Sequence, residues 1–212
     1  MFDWLWPVAC LGCGETVGSA WCADCAPGSV LRPPLESFGV AHAFAVERYD
    51  RPVGQALGRA KAHADRTSAV RLAELFADVM VPVLHGVEPS ALVPAPSTLG
   101  ARGSRGFSMA SLLARALSRR TGVPVVHALR STAAGRMATL KREQRQRALR
   151  GRIRSVRDVP GRVVLVDDVT TTGATAEACA VELLGGASSE VVLATLCAVP
   201  ALSRRPRRVH VS

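Results

Sequence analysis

The sequence predicts an α/β domain built on a mostly parallel central sheet flanked by helices, with a small four-cysteine module in front. Three observations carry that reading. Short apolar runs alternate with segments of helical apolar spacing along most of the chain. Val163-Val164-Leu165-Val166 is an unbroken apolar run, as a strand buried on both faces requires. Cys10, Cys13, Cys22 and Cys25 form two CxxC pairs near the start.

Composition bounds the classes open to such a chain. With 48% hydrophobic and 21% charged residues over 212 positions, it can bury a real core, which excludes disorder over most of its length. No apolar run approaches the roughly 18 to 20 residues of a membrane-spanning helix, so membrane insertion is not expected. The start, Met1-Phe2-Asp3-Trp4-Leu5-Trp6-Pro7, has an acid where an export signal carries bases, and the expected location is the cytoplasm. A formal charge of +10 favours phosphate-rich partners. Residues 130–162 supply nine of those ten charges. Only Lys61 and Lys141 are lysines; a GC-biased genome accounts for the arginines without any ligand.

The elements follow in order. In the front module, each CxxC turn points two sulfurs at one spot, and two such turns complete the four-sulfur tetrahedron that zinc prefers. Four thiolates leave no open position, so the metal is structural, and metal binding drives the folding of so short a segment. Iron accepts the same four sulfurs, and a redox dithiol is the further alternative. Pro27-Gly28 and Pro33-Pro34 mark a linker, which places the module at 1–35 and the main domain at 36–212. Residues 38–49 read as a strand or hairpin, 53–62 and 68–84 as helices, and 91–93 as a short buried strand ending at Pro94. A helix over 107–121 carries Leu112, Leu113, Ala116 and Leu117 on one face and Arg115, Arg119 and Arg120 on another, and closes at Gly122. Residues 123–127 read as a strand, 163–166 as a buried parallel strand, 174–184 as a helix ending at Gly185-Gly186, and 191–199 as another buried strand. Within 130–157 the alternatives are a mobile lid and a solvated basic helix over 140–152. Cys179 and Cys197 sit alone among apolar neighbours and read as small core residues. The tail, Arg204-Arg205-Pro206-Arg207-Arg208, reads as solvated.

The strongest functional signal is the stretch 163–175, VVLVDDVTTTGAT. A buried strand delivers Asp167 and Asp168 at its carboxyl end, a hydroxyl-rich turn with one glycine follows, and a helix begins. The helix start offers free N–H groups and a partial positive charge, the threonines add donors, and Gly173 lets the backbone come close to a phosphate. Two carboxylates cannot face that same phosphate, so they face sugar hydroxyls or magnesium. A phosphorylated sugar satisfies both requirements. Helix capping alone explains one residue of this set and not the whole. The GxxxxGK[ST] and GxGxxG loops are absent, and Gly100, Gly103 and Gly106 have the wrong spacing.

This segment resembles the phosphoribosyl pyrophosphate (PRPP) motif of type I phosphoribosyltransferases. The resemblance implies that fold, with Asp167 and Asp168 on the ribose hydroxyls and Thr171, Thr172, Gly173, Ala174 and Thr175 around the 5′-phosphate. The cysteine knuckles, Tyr49-Asp50 leading to Lys61, Val93-Pro94-Ala95-Pro96, and Arg105-Gly106-Phe107 narrow it to the ComF family, competence-associated phosphoribosyltransferase-like proteins with an N-terminal zinc finger. That likeness implies structural zinc on a zinc-ribbon-like module, magnesium with PRPP, and a transfer of phosphoribose to a nitrogenous acceptor. The pyrophosphate side would draw on Ser97, Arg102 and Arg105. The alternative it implies is a non-catalytic DNA-uptake adaptor holding single-stranded DNA or competence and helicase proteins. The chain departs from the family where Ser108 and Met109 stand in place of Asn-Gln, and again at Ala133, Ala134, Arg136 and Ala148. The first departure falls near the pyrophosphate or acceptor side, and together they bear on recognition of the acceptor.

Overall fold

A strand that is apolar on both faces is stable only between two layers, and that is where the 163–166 run lies in the computed structural model, which describes residues 8–17, 19–28, 30–33, 39–97, 106–132 and 152–199. Val163, Val164, Leu165 and Val166 are all 0% exposed. They belong to β7 (Gly161–Thr170), an inner strand of a four-stranded parallel sheet. Its neighbours are β8 (Ser188–Ala198) on one side and β4 (Ala91–Pro94) on the other, with β3 (His42–Arg48) outside β8. The register sets Val166 beside both Pro94 and Ala194.

Helices cover both faces. On one lie α1 (Pro52–Ala62), α2 (Arg66–His85) and α3 (Met109–Thr121), whose Leu57, Leu72, Phe76, Met80, Leu113 and Leu117 are fully buried against the sheet. On the other lies α4 (Ala174–Leu184), with Ala176, Cys179 and Leu183 in a second core beside Val163 and Leu165. Local chemistry fixes the helix ends. Asp65 accepts from the Ser68 N–H at 3.1 Å and Ser108 from the Ser111 N–H at 3.4 Å, while Gly122, at φ +74°, closes α3. The Ser108 cap starts α3 two residues later than the sequence pattern implies.

Two segments differ from expectation. Residues 123–127 make only a single parallel bridge, Val125 to Leu92, because Pro124 offers a carbonyl but no N–H. The ends of the basic stretch form an antiparallel ribbon, β5 (Leu129–Ser131) with β6 (Ile153–Ser155), which buries Leu129 and Ile153 and presents Arg130 and Arg154 outward. Glu182 of α4 holds this ribbon by accepting from the Ser155 N–H at 2.9 Å and pairing with Arg154 at 3.2 Å. Residues 133–151, including most of the lid or basic-helix reading, lie outside the described residues, as do 1–7 and the arginine tail.

The cysteine segment is a two-strand ribbon, β1 (Val8–Ala9) against β2 (Thr16–Val17). Arg59 of α1 donates to the Leu11 carbonyl and, at 3.0 Å, to that of Gly12. Leu31 pairs with Ala45 through bonds of 2.8 and 2.9 Å, stitching the exit from the ribbon to β3. The proposed boundary at residue 35 falls outside the described residues. Cys179 and Cys197 are buried in the main core; burial pushes the Cys197 thiol up to about 12, so it packs as an uncharged group. Among the described residues, no helix is long and apolar enough to cross a membrane.

Candidate functional site

The sheet ends where its chemistry begins. Strand β7 continues past its apolar run to Thr170, so Asp167 and Asp168 are its seventh and eighth residues. Side chains alternate along a strand, which sends the two carboxylates to opposite faces. Asp168 shares the face of Val164 and Val166 and meets α1, where Lys61 Nζ lies 2.7 Å from its Oδ2. Asp167 shares the face of Val163 and Leu165, on the α4 side, and its Oδ1 accepts from the Asp168 N–H at 2.8 Å. Burial, and then the charge of Asp168, push the Asp167 carboxyl up to about 7. At neutral pH it is held between its two protonation states, able to accept a hydrogen bond or to donate one.

Beyond β7 the turn doubles back at Gly173, whose φ of +76° is the left-handed conformation that favours glycine. Gly173 is also the residue before α4, and it has no side chain with which to cap the helix. Thr172 Oγ1 accepts from the Ala174 N–H at 3.4 Å. Asp167 and residues 169–175 line a cavity of about 50 Å³, larger than the roughly 30 Å³ share of one water. Its wall is made of threonine hydroxyls and the start of a helix, a donor set suited to an oxyanion. Thr170 Oγ1 is buried there without a hydrogen-bond partner.

The loop after β4 borders this turn. The Ala95 N–H donates to the Val166 carbonyl at 2.8 Å, which holds residues 95–97 beside the end of β7. Ser97 Oγ is buried and unpartnered. Arg102 and Arg105 lie outside the described residues.

Sequence reasoning placed Asp167, Asp168, Thr171, Thr172, Gly173, Ala174 and Thr175 on one continuous segment, and the structure sets them on one strand end, turn and helix start. It did not give Lys61 a place in the site. The available signal was that Lys61 is one of two lysines among 27 basic residues; its partner lies far along the chain.

The four cysteines form a separate centre. Their sulfurs all lie within 4.8 Å of one another, and Cys13 and Cys22 are 3.8 Å apart. Zinc–sulfur bonds of about 2.3 Å in a tetrahedron place sulfurs about 3.8 Å apart, so the four are close enough together to bind a zinc ion. Burial pushes the Cys10 thiol up, but N–H groups of Cys13, Cys22 and Gly12 outweigh it and bring the thiol down to about 6. Burial and then the neighbouring sulfurs drive Cys25 the other way, to about 12. Such crowding opposes four bare thiolates, and a divalent cation relieves it.

No protein-family model matches the chain, and no curated protein matches it. Among solved structures, the UMP synthase of Leishmania donovani is similar over 61% of this chain, at 20% identity and a TM-score of 0.39. The chain spans 24% of that protein's length.

Proposed function

We propose that the protein is a type I phosphoribosyltransferase-like protein of the ComF kind, which binds magnesium–PRPP at Asp167, Asp168 and residues 171–175. One observation carries the reading: a parallel strand buried over 163–166 carries two acids toward its carboxyl end and runs through a hydroxyl-rich turn, at a left-handed glycine, into a helix start. In this reading the 5′-phosphate lies on the amides and hydroxyls of the turn, the ribose hydroxyls face Asp167 in the same cavity, and Asp168 is held on the opposite face by Lys61. Magnesium bound to the donor would supply positive charge to the departing pyrophosphate. The bond from the anomeric carbon to pyrophosphate breaks with its electron pair, and a nitrogen of the acceptor supplies the pair for the new bond. The chain's own part is to hold the sugar still while charge develops. Ser97, Arg102 and Arg105 are the proposed pyrophosphate side, and Cys10, Cys13, Cys22 and Cys25 hold a structural zinc in the 1–35 module.

Calorimetric titration with magnesium–PRPP tests this. Saturable binding that weakens at least tenfold in Asp167→Asn supports it, and pyrophosphate release dependent on an added nitrogenous base supports transfer. Binding without turnover leaves a PRPP-binding protein. The second reading, an adaptor for single-stranded DNA, draws on the nine net charges of 130–162 and the outward Arg130 and Arg154 of the ribbon. It requires an affinity that falls steeply with salt.

A further inference from the structure

A second concavity lies near the strand ends. On the far side of β4 from Asp167, a cavity of about 720 Å³ opens between the 94–97 loop, the starts of α2 and α3, and the β5–β6 ribbon. Arg66, Arg115 and Arg130 line it from three different elements, His127 and Phe107 add a ring each, and no acidic side chain is among the described residues that line it. Several arginines elsewhere have carboxylate partners. Arg119 and Arg120, one turn beyond Arg115, pair with Glu74 and Asp78, and Arg48, Arg154 and Arg162 pair with Asp50, Glu182 and Glu190. Among the described residues none of the three cavity arginines has a carboxylate partner.

Arg66 opens α2 directly after its Asp65 cap, and α3 carries no acid in its first turn. Ser97, on the proposed pyrophosphate side, borders the cavity where it faces the donor. A cavity of this size, with uncompensated cations from three directions and an aromatic ring, has the make-up of a site for an aromatic oxyanion of up to nucleotide size.

We propose that this cleft takes the second substrate and that this substrate is an anion, an aromatic ring bearing a carboxylate or a phosphate. The assignment as second substrate rests on the donor reading above, since the Ala95–Val166 bond ties one wall of the cleft to the end of β7; the preference for an anion does not. Four probes in two pairs test it on the full chain by calorimetry: uracil-6-carboxylate against uracil, and uridine 5′-monophosphate against uridine. The expected result is that the charged member of at least one pair binds ten times or more tighter than its neutral twin. That preference should fall below threefold in Arg115→Gln and in Arg66→Gln, survive Thr175→Val, and leave PRPP affinity unchanged in both arginine variants. Which pair responds tells carboxylate from phosphate. Twins that bind alike, or a preference that survives both arginine variants, overturn the proposal. So does a loss of PRPP affinity in Arg115→Gln, which would give the cleft to the donor's pyrophosphate. Wild-type protein that shows the arginine-dependent preference but no PRPP binding would instead sink the donor reading alone.

Discussion

Replacing Asp167 by asparagine should make the protein more stable at pH 8 while removing its grip on the sugar. The folded chain raises this carboxyl from 3.8 to about 7, through burial first and the Asp168 charge second. A carboxyl raised on folding binds its proton more tightly in the native state, so wild-type stability falls as pH climbs from about 4 to about 7 and stays lower above. A shift of about three pKa units corresponds to an upper limit of about 4 kcal/mol. Asp167 keeps some solvent contact, and coupling to Asp168 spreads the cost over two groups, so about 1–2 kcal/mol is the expected gain of the variant at pH 8. In a chain of this length that is a rise in Tm of about 2–8 °C. Thermal melts of wild type and Asp167→Asn at pH 5, 6, 7 and 8 measure it as a difference that grows with pH, since the other carboxylates cancel between the two proteins. A variant less stable than wild type by the same amount at every pH would refute the reasoning.

Other outcomes follow from the same geometry. Lys61→Met leaves the partly buried Asp168 without its cation, and about 1–3 kcal/mol of stability should be lost at pH 7 by denaturant melts. The same change removes a charge that lowers Asp167, so the pH at which magnesium–PRPP binding is half-maximal should move upward in calorimetry. A Cβ at Gly12 would sit 2.6 Å from Cys25 Sγ and 3.0 Å from Pro52, so Gly12→Ala should displace a cysteine of the cluster and drop bound zinc well below one per chain in metal analysis. At Gly54 the added carbon would lie 1.9 Å from the Tyr49 carbonyl oxygen, and Gly54→Ala should yield little folded protein, read as soluble yield and circular dichroism.

Much of this architecture was written locally. The α4 helix over 174–184 was readable to both ends because Gly173 and Gly185 bracket an apolar run, whereas α2, read over 68–84, starts two residues earlier because Asp65 caps it. Strand β7 was legible only over 163–166, since Arg162, Asp167, Asp168 and Thr170 carry polar side chains on a strand whose ladder continues regardless. The β5–β6 ribbon could not be read, because its three-residue arms are too short to show a period and pair across twenty-one intervening residues. The 163–175 segment was legible as a motif, but the pleat that turns Asp168 toward Lys61 needs the tertiary structure. The arginine cleft was invisible for the same reason: Arg66, Arg115 and Arg130 have no common spacing, and only the packing of α2, α3 and β5 brings them to one cavity.

The measurement that bears most directly on the account is a crystal structure of the protein grown with magnesium–PRPP. The account predicts the 5′-phosphate against the amides of residues 171–175 and the ribose hydroxyls toward Asp167. Density for the ligand elsewhere, with the 171–175 turn unoccupied at saturating PRPP, would contradict it.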